Sequence, residues 1–254
     1  MSFEFKLYTE YFKNSKNLFP KMISCVVDQK KEIVHYVFEN MTELLGGGSL
    51  GIFFDGQRFH GPKIRDEHPC YLVLDAITLT LHVLYSLYVL HEEFGIVHSD
   101  ISPGNIMFSE LDDVWKLNDF QTAMLLKDSL TTVRKNISTR GYTCPLAEKT
   151  GIYDKASDIY SVGEVLSSIF LARLKRDIEH YARQLPEGTL RTVNELINIA
   201  NSMTKPVPSE RPNIKELIFR LYALLKYNLL EDFHVYGIRT MTPRIESLLF
   251  DKTR

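Results

Sequence analysis

The chain has 254 residues, of which 44% are hydrophobic and 24% are charged, and its formal net charge is −2. This length suits one large domain or two small lobes of ordinary globular composition, and the nearly balanced charge argues against a nucleic-acid-binding surface. The three cysteines are far apart in the sequence, which excludes a disulfide framework and favours an intracellular, cytoplasmic location, with the nucleus left open.

The first part of the chain predicts a helix followed by two strands. Residues 3–16 are rich in aromatic side chains and predict a helix. MISCVV and EIVHYVFE then predict two strands around a polar turn. The glycine-rich stretch GGGSLG that follows is predicted to be a loop.

One segment has the length and composition of a membrane span. It is YLVLDAITLTLHVLYSLYVL, from Tyr71 to Leu90. Asp75 and His82 lie inside it, and each side chain would be costly to place in hydrocarbon. We therefore expect a buried core helix here and no contact with a membrane.

The second half of the chain is predicted to be mostly helical. VWKLNDF predicts a short strand, and residues 121–155 have few periodic apolar positions. Three helices are expected after that stretch, over residues 157–174, 189–204 and 212–229. Strands that cluster early and helices that cluster late indicate an α+β fold, in which a small strand-containing lobe sits on a larger helical one.

The segment HSDISPGNIMF, from His98 to Phe108, places an aspartate and an asparagine on one loop. Pro103 and Gly104 oppose a regular helix there, so Asp100 and Asn105 are expected in a tight turn. Loops of this kind often carry functional side chains. An aspartate and an asparagine aimed at one point can accept a substrate proton and hold a divalent cation.

Asp119, in LNDFQ, follows Asp100 by 19 residues. A short hairpin across that gap would bring Asp100, Asn105 and Asp119 together. Two carboxylates and an amide that converge in a cleft suit Mg²⁺ and a phosphate ester. Phosphoryl transfer would need one aspartate near the attacking hydroxyl, and an aspartate and an asparagine on the metal.

These residues resemble the motifs of the eukaryotic-type protein kinases, and the match is spread over residues 90–225. HSDISPGN is similar to the catalytic loop HRDxxxxN, and NDFQ is similar to the metal-binding DFG. Three later segments resemble the end of the activation segment, the helix that holds the catalytic loop through Asp158, and the late Arg-Pro motif; they are STRGYTCPL, SDIYSVGEVL and PSERPNIKEL. Five motifs in the family's order are a specific signal, and HSDISPGNIMF with WKLNDF is especially similar to kinase-like proteins abundant in fungi.

The resemblance implies a protein-kinase-like fold with ATP and Mg²⁺ as ligands. Asp100 would be the catalytic base, and Asn105 and Asp119 would bind the cofactor as metal ligands. Backbone groups of Glu39 and Met41 would hold the adenine. We expect one domain over 1–254, with a truncated N-lobe over 1–40, a hinge and C-lobe over 41–230, and a C-terminal tail over 231–254.

The N-terminal region departs from the family pattern. Counting back ten residues from Pro20 gives Glu10, where the family has a helix glutamate that pairs with a strand lysine. Three strands, a glycine-rich loop and that lysine do not fit in the nine residues before Glu10. GGGSLG matches GxGxxG, but only 37 residues separate Lys63 from Asp100, so a turn after the hinge is expected instead. Glu10 is then either a helix-surface charge or a family residue without its partner.

Other positions lead to smaller predictions. Ser99 replaces the arginine that receives an activation-loop phosphate, so control by that route is not expected. Arg211 lacks the family's glutamate partner and needs another, such as Glu148. His98 is predicted to be a packed core histidine, and Lys116 a charge on the surface of a strand.

Several functions remain open at this point. The missing lysine and glycine-rich loop favour a protein that is weak or inactive as a phosphotransferase and acts by binding, a pseudokinase. The alternative is an active Ser/Thr protein kinase that transfers the ATP γ-phosphate to protein hydroxyls, because Asp100, Asn105, Asp119 and Thr139 are all present. A small-molecule kinase of the aminoglycoside or choline type shares only the HxDxxxxN loop. The chain could also be an incomplete piece of a longer kinase.

The expected partner is a protein, either a substrate or a binding partner. A ribbon of two strands is barely stable alone and leaves an edge exposed. We therefore expect a partner, or self-pairing, at the edge of the truncated N-lobe.

Overall fold

The computed structural model describes the following residues: 2–15, 17–28, 33–39, 69–109, 111–126, 132–133, 139–172, 187–228 and 238–250. Met41, GGGSLG and Lys63 lie outside these ranges, so the predictions made for them stay predictions. Within them, a small strand-containing lobe packs on a mainly helical one, which confirms the predicted α+β fold class.

The N-terminal helix combines three kinds of helical turn. It begins as α1, Phe3–Lys6, continues as a π-helical turn over Leu7–Tyr11, and ends in a 3₁₀ turn over Phe12–Asn14. The Ser2 hydroxyl caps its start by accepting a hydrogen bond from the Phe5 N–H. The predicted aromatic-rich helix is therefore confirmed, in a mixed geometry.

Two antiparallel strands form a ribbon after this helix. They are β1, Met22–Asp28, and β2, Ile33–Phe38, and a bulge interrupts their register between Met22 and Ser24. Both strands confirm the alternation seen in the sequence. The ribbon places Glu39, the residue after β2, where the chain leaves the small lobe.

The helical lobe is built from six helices and three short strand pairs within the described ranges. The helices are α2, Pro69–Tyr88, with a π-helical continuation over Val89–Glu93; α3, Pro145–Thr150; α4, Lys155–Val165, with a π-helical continuation over Leu166–Leu171; α5, Glu187–Met203; α6, Ile214–Asn228; and α7, Ile238–Phe250. The strand pairs are β3, Ile96–Val97, with β6, Met124–Leu125; β4, Ile106–Ser109, with β5, Val114–Leu117; and β7, Thr132–Val133, with β8, Ile152–Tyr153. Single 3₁₀ turns lie at Pro103–Asn105 and Pro208–Glu210.

Helix α2 forms the centre of the core and packs against α5, α6 and β5. The stretch Val73–Glu93 is the one described helix long and apolar enough to cross a membrane, and 89% of its apolar 18-residue window is buried inside the protein. The Nδ1 of His82 on this helix accepts a hydrogen bond from the Trp115 N–H at 3.0 Å. The predicted buried core helix is confirmed.

Helices α4 and α5 cross at close range, and Gly163 makes this possible. A Cβ atom on Gly163 would lie 2.8 Å from the Met203 Cβ and 2.8 Å from the Thr204 Cγ2. Such distances are well inside van der Waals contact. This crossing fixes α4, whose first turn supports the candidate site.

Candidate functional site

Asp158, in the first turn of α4, holds the loop that carries Asp100 through hydrogen bonds to the loop backbone. The Asp158 carboxylate is buried, and its Oδ1 accepts a hydrogen bond from the Ser99 N–H at 2.9 Å. Its Oδ2 accepts from the His98 N–H at 2.9 Å and from the His91 Nε2 at 2.8 Å. Three donors satisfy the buried charge, as burial of a carboxylate requires. The supporting role predicted for Asp158 is confirmed.

His98 is a packed core histidine, as predicted. It is fully buried, its ring lies 4.9 Å from that of Phe120, and its Nε2 donates to the Asn118 carbonyl at 3.1 Å. Burial lowers the pKa of His98, against the opposing effect of Asp158, so the ring is neutral. The neutral ring leaves Nδ1 as an acceptor for the Asp100 N–H, at 3.4 Å.

Ser99 joins the loop to the segment after Asp119. Its backbone has φ of 66°, in the left-handed region, and its hydroxyl donates to the Thr122 carbonyl at 2.7 Å. The Thr122 hydroxyl in turn donates to the His98 carbonyl at 3.0 Å. Ser99 therefore stabilises the contact between the loop and the segment after Asp119, at the position where protein kinases have a phosphate-binding arginine.

Asp100, Asn105 and Thr139 meet at the mouth of the loop. The Asp100 Oδ1 accepts from the Thr139 N–H at 2.7 Å and from its hydroxyl at 2.8 Å. The Asn105 Nδ2 donates to the Asp100 Oδ2 at 3.1 Å and to the Asp100 carbonyl at 2.9 Å. The carboxylate is thus fixed in orientation, as a group that accepts a proton from a substrate hydroxyl needs to be.

The predicted hairpin between Asp100 and Asp119 is present as β4 and β5. At its end the Asn118 N–H donates to the Asn105 carbonyl at 2.8 Å, which holds Asp119 beside Asn105. Asp119 has a left-handed φ of 58°, uncommon for a residue other than glycine. Such backbone conformations persist where the surrounding structure fixes them, often at functional sites.

The oxygen donors at this point suit a hard cation. The Asn105 Nδ2 is used on Asp100, which leaves its amide oxygen as a donor to a metal. The Asp119 Oδ1 accepts only a long hydrogen bond, 3.3 Å, from the Gln121 N–H. No group of three or more His, Cys, Asp or Glu side chains that could hold a metal occurs in the described part of the chain. Mg²⁺ held by Asn105 and Asp119 would therefore complete its six ligands with phosphate oxygens and water.

An aromatic cluster joins the N-terminal helix to this site. The cluster consists of Tyr8, Phe12, Phe19, Phe38 and Phe120. Ring centroids of Tyr8, Phe12 and Phe19 lie 5.8, 4.8 and 5.7 Å from that of Phe120, all in edge-to-face arrangements. Because Phe120 follows Asp119 directly, the N-terminal helix packs next to the segment that carries the Asp119 carboxylate.

Asp119 acts electrostatically on the helix acid Glu4, whereas sequence counting had given Glu10 the position of the family's helix glutamate. Glu4 lies one turn before Tyr8 and is half-buried, and burial and then the Asp119 charge raise the pKa of Glu4. Glu10 is exposed and its Oε2 lies 3.5 Å from the Lys6 Nζ, so it is a helix-surface charge.

Lys116 contradicts the prediction of a surface charge. It is fully buried, and its Nζ lies 2.6 Å from the Glu39 Oε1 and 2.5 Å from the Asp112 Oδ2. The Asn17 Nδ2 donates to the other Asp112 oxygen at 2.7 Å. The prediction was wrong because one strand alone does not show that the end of β2 covers this face of β5.

Glu39 is therefore engaged through its side chain as well as its backbone. Its N–H donates to the Lys21 carbonyl at 2.7 Å, and its Oε1 accepts from the Lys21 N–H at 3.0 Å. The adenine-binding role of Glu39 stays a prediction, and its companion Met41 lies outside the described residues.

Arg211 has different partners from the predicted Glu148. The side chain is buried and lies over the Tyr160 ring at 5.0 Å. Its guanidinium donates to three backbone carbonyls and one thiol, those of Lys205, Ala156, Pro206 and Cys144. Backbone oxygens satisfy a buried guanidinium without a second charge, which is why no carboxylate is needed here.

A cavity of about 640 Å³ lies away from this site, between the turns that follow α1, the end of α2 with its π-helical continuation, and α7. Tyr11, Phe94 and Leu248 line it, and Asp100, Asn105 and Asp119 do not. The chemistry of the loop, rather than this cavity, locates the candidate site.

Comparison with known proteins agrees with the geometry. A family model described as the protein kinase domain matches residues 43–223. Wall-associated receptor kinase 5 of Arabidopsis thaliana is 25% identical over 231 residues, which are 80% of this chain and 30% of that protein. Serine/threonine-protein kinase nekl-2 of Caenorhabditis elegans is 28% identical over 184 residues, 68% of this chain and 49% of that protein. Mitogen-activated protein kinase kinase SIPKK of Nicotiana tabacum is 31% identical over 126 residues, 50% of this chain and 32% of that protein.

The chain spans less than half the length of each of these relatives. The family match begins after the ribbon, so α1 and β1–β2 are placed by the structure alone. The predicted division of the chain into three parts stays a prediction. The catalytic-loop geometry, the Asp158 support and a match over most of the sequence lead to one conclusion: the chain belongs to the protein kinase family.

Proposed function

We propose that the chain binds ATP with Mg²⁺ beside Asp100, Asn105 and Asp119, and acts mainly by binding, with weak or no phosphoryl transfer. The observation that carries this proposal is that Glu4, the helix carboxylate next to Asp119, pairs with no Lys, Arg or His among the described residues, although the Asp100–Asn105 loop is fully formed. Phosphoryl transfer depends on cationic groups that neutralise the charge of the transferring phosphate. An unpaired carboxylate has the opposite effect.

The residues have separate roles in this proposal. When bound, Mg²⁺ neutralises phosphate charge, and Asn105 and Asp119 would hold it. Asp100 would accept the proton of a substrate hydroxyl at a carboxylate oxygen. Thr139 fixes the rotation of that carboxylate through its two hydrogen bonds to Oδ1.

Ligand-dependent thermal unfolding tests the nucleotide site. At 100 times its Kd, ATP with Mg²⁺ stabilises the folded state by about 2.7 kcal/mol, a rise of roughly 5–10 °C in the midpoint. We expect this shift to need Mg²⁺ and to disappear in Asp119→Asn, because asparagine keeps the left-handed backbone but removes the charge.

Asp113→Asn is the matched control, since Asp113 also has a left-handed φ, of 52°, in the β4–β5 turn. It should keep the full shift. A wild-type protein that shows no shift with saturating ATP and Mg²⁺ would refute the nucleotide site and leave a binding scaffold.

An active Ser/Thr protein kinase is the second candidate. The paired hydrogen bonds from Thr139 to Asp100 favour it, because the base is already oriented. Radiolabelled phosphate transfer from ATP to a mixed protein acceptor, lost in Asp100→Asn, would establish this activity. A signal of equal size in Asp100→Asn would show that it comes from a contaminant. Amino-alcohol and aminoglycoside acceptors in the same assay test a small-molecule kinase.

We also propose that the β1–β2 ribbon pairs with a protein strand, from a partner or from a second copy. Ile23, Val26 and Val37 are 64%, 55% and 43% exposed, an apolar surface that a two-stranded ribbon cannot bury by itself. The relatives are named as protein kinases, which supports a protein as substrate or partner. A monomer in sedimentation velocity whose ribbon amides are fully protected from hydrogen exchange would contradict this proposal.

A further inference from the structure

Two carboxylates flank the start of the Phe120 segment, and within the described ranges neither is paired with a Lys, Arg or His side chain. Glu4 comes from the N-terminal helix, and Asp119 from the end of the β4–β5 hairpin. The edge-to-face contact of Tyr8 with Phe120 brings them together, because Glu4 lies one turn before Tyr8 and Asp119 directly precedes Phe120. Burial, and then the charge of Asp119, raise the pKa of Glu4.

The Tyr8 hydroxyl is an independent sign that a ligand belongs here. Tyr8 is only 6% exposed, and its hydroxyl has no hydrogen-bond partner in the described structure. Burial, and then the charges of Glu4 and Asp119, raise the pKa of Tyr8. A buried hydroxyl without a partner costs free energy, so a group that engages its oxygen would be stabilising.

We propose that Glu4 and Asp119 together bind a divalent cation, with the Tyr8 hydroxyl oxygen as a neutral donor. The cation lies on the helix side of Asp119, opposite the position between Asp119 and Asn105. Carboxylate and hydroxyl oxygens are ligands that Mg²⁺ and Mn²⁺ accept, and two carboxylates match the charge of one divalent ion.

The site deepens the proposed nucleotide function, which supplies a role for the ion. A cation beside Glu4 would cancel the charge of the two carboxylates and leave no surplus positive charge for a transferring phosphate, which agrees with the proposed weak or absent transfer. It also ties the N-terminal helix to the hairpin, because its two carboxylate ligands come from these two elements. The inference rests on the proposed function only through Asp119, which both cation positions share.

Mn²⁺ binding to the full chain without nucleotide is the direct test, followed by the electron paramagnetic resonance signal of free Mn²⁺. We expect Glu4→Gln to weaken the Mn²⁺ affinity at least tenfold, because glutamine keeps the side-chain length but not the charge. Glu10→Gln is the matched control on the same helix, exposed and paired with Lys6, and should bind like the wild type. Equal Mn²⁺ affinity in the wild type and Glu4→Gln would overturn the proposal, as would an equal loss in Glu10→Gln.

Glu4→Lys keeps the test decisive should Glu4→Gln fold poorly. A lysine here would itself pair with Asp119, so we expect lost Mn²⁺ binding together with a higher metal-free thermal midpoint. Undiminished Mn²⁺ binding in Glu4→Lys would overturn the proposal.

Tyr8→Phe tests whether an ion lies beside Tyr8, with Tb³⁺ as a luminescent probe excited through nearby tyrosine rings. We expect less tyrosine-sensitised Tb³⁺ emission in Tyr8→Phe, because phenylalanine lacks the phenol that sensitises a nearby ion. Emission equal to the wild type would show that no ion lies beside Tyr8.

The two proposals fail in different ways. If Glu4→Gln leaves Mn²⁺ affinity unchanged while Asp119→Asn abolishes the ATP shift, the cation site is refuted and the nucleotide site stands. If Mn²⁺ binding depends on Glu4 but ATP produces no shift, the cation site stands and the proposed nucleotide function is refuted.

Discussion

Lys116 and Glu39 form an ion pair that connects the two lobes, with the lysine Nζ 2.6 Å from the glutamate Oε1 and the lysine side chain fully buried. Glu39 ends the ribbon, and Lys116 lies in β5, three residues before Asp119. Asp112 is the second carboxylate on the same ammonium. This pair sets the position of the ribbon's end relative to the hairpin that carries the candidate site.

Lys116→Met should destabilise the protein by about 3–5 kcal/mol, because two carboxylates would remain buried without their cation. Lys155→Met is the comparison, since Lys155 pairs with Glu92 at 2.9 Å with both side chains 42% exposed. That exposed pair is worth roughly 0–1 kcal/mol. Urea denaturation measures both changes, and a similar small effect for the two lysines would contradict the structural role of Lys116.

Asp158→Asn should destabilise the catalytic loop by about 2–4 kcal/mol, since an amide group would replace one acceptor and face a backbone N–H. The ATP-dependent thermal shift should weaken as well. Asp154→Asn on the same helix is the control, because Asp154 is its N-cap and asparagine caps equally well. Hydrogen exchange at Ser99 is the local measurement, and unchanged protection in Asp158→Asn would contradict the support described here.

Gly163→Ala should cost about 1–3 kcal/mol, because the new methyl group would force α4 and α5 apart. Gly188→Ala, in α5, is the matched control: its Cβ would meet only the Tyr227 ring, at 3.9 Å. Alanine is there expected to be neutral or to stabilise by about 0.5–1 kcal/mol. Thermal midpoints of the two variants that move in the same direction would contradict the close crossing.

Asp75 gives the protein a pH dependence of stability. Burial raises the pKa of Asp75 from 3.8 to about 7, so between these values the folded state binds more protons than the unfolded state. Its contribution is fully present below pH 4 and is lost as the pH rises through 7, at most about 4 kcal/mol.

Asp75→Asn removes this titration, and the variant should be more stable than the wild type at pH 8 but not at pH 4. Denaturant unfolding at both pH values measures the difference. If the free energies of unfolding of the variant and the wild type differ by the same amount at pH 4 and pH 8, Asp75 does not titrate in this range.

The sequence predicted those parts of the protein that depend on local pattern. The two strands of the ribbon follow from alternation, and the three late helices follow from apolar periodicity, with ends that agree within a few residues. The loop with Asp100 and Asn105 follows from Pro103 and Gly104, which oppose a helix at that point. The spacing of motifs then indicated that the hairpin returns Asp119 to the loop.

These local patterns did not predict the contacts between segments that are distant in the sequence. Burial and then the charge of Asp119 raise the pKa of Glu4, whereas Glu10, the residue given by counting back from Pro20, is exposed and pairs with Lys6. Arg211 donates hydrogen bonds to backbone carbonyls. The sequence does not indicate which carbonyls these are, since every residue has one.

The sequence by itself determined the family, the order of elements and the loop that carries Asp100 and Asn105, because these depend on short-range propensity and on spacing along the chain. Tertiary structure alone decided which charges are buried and which oppose each other. Lys116 is the clearest case: its local sequence predicts a solvated strand position, and its burial depends on Glu39, 77 residues away, and on the turn that holds Asp112. Electrostatic environment is a property of three-dimensional proximity, which sequence spacing does not encode.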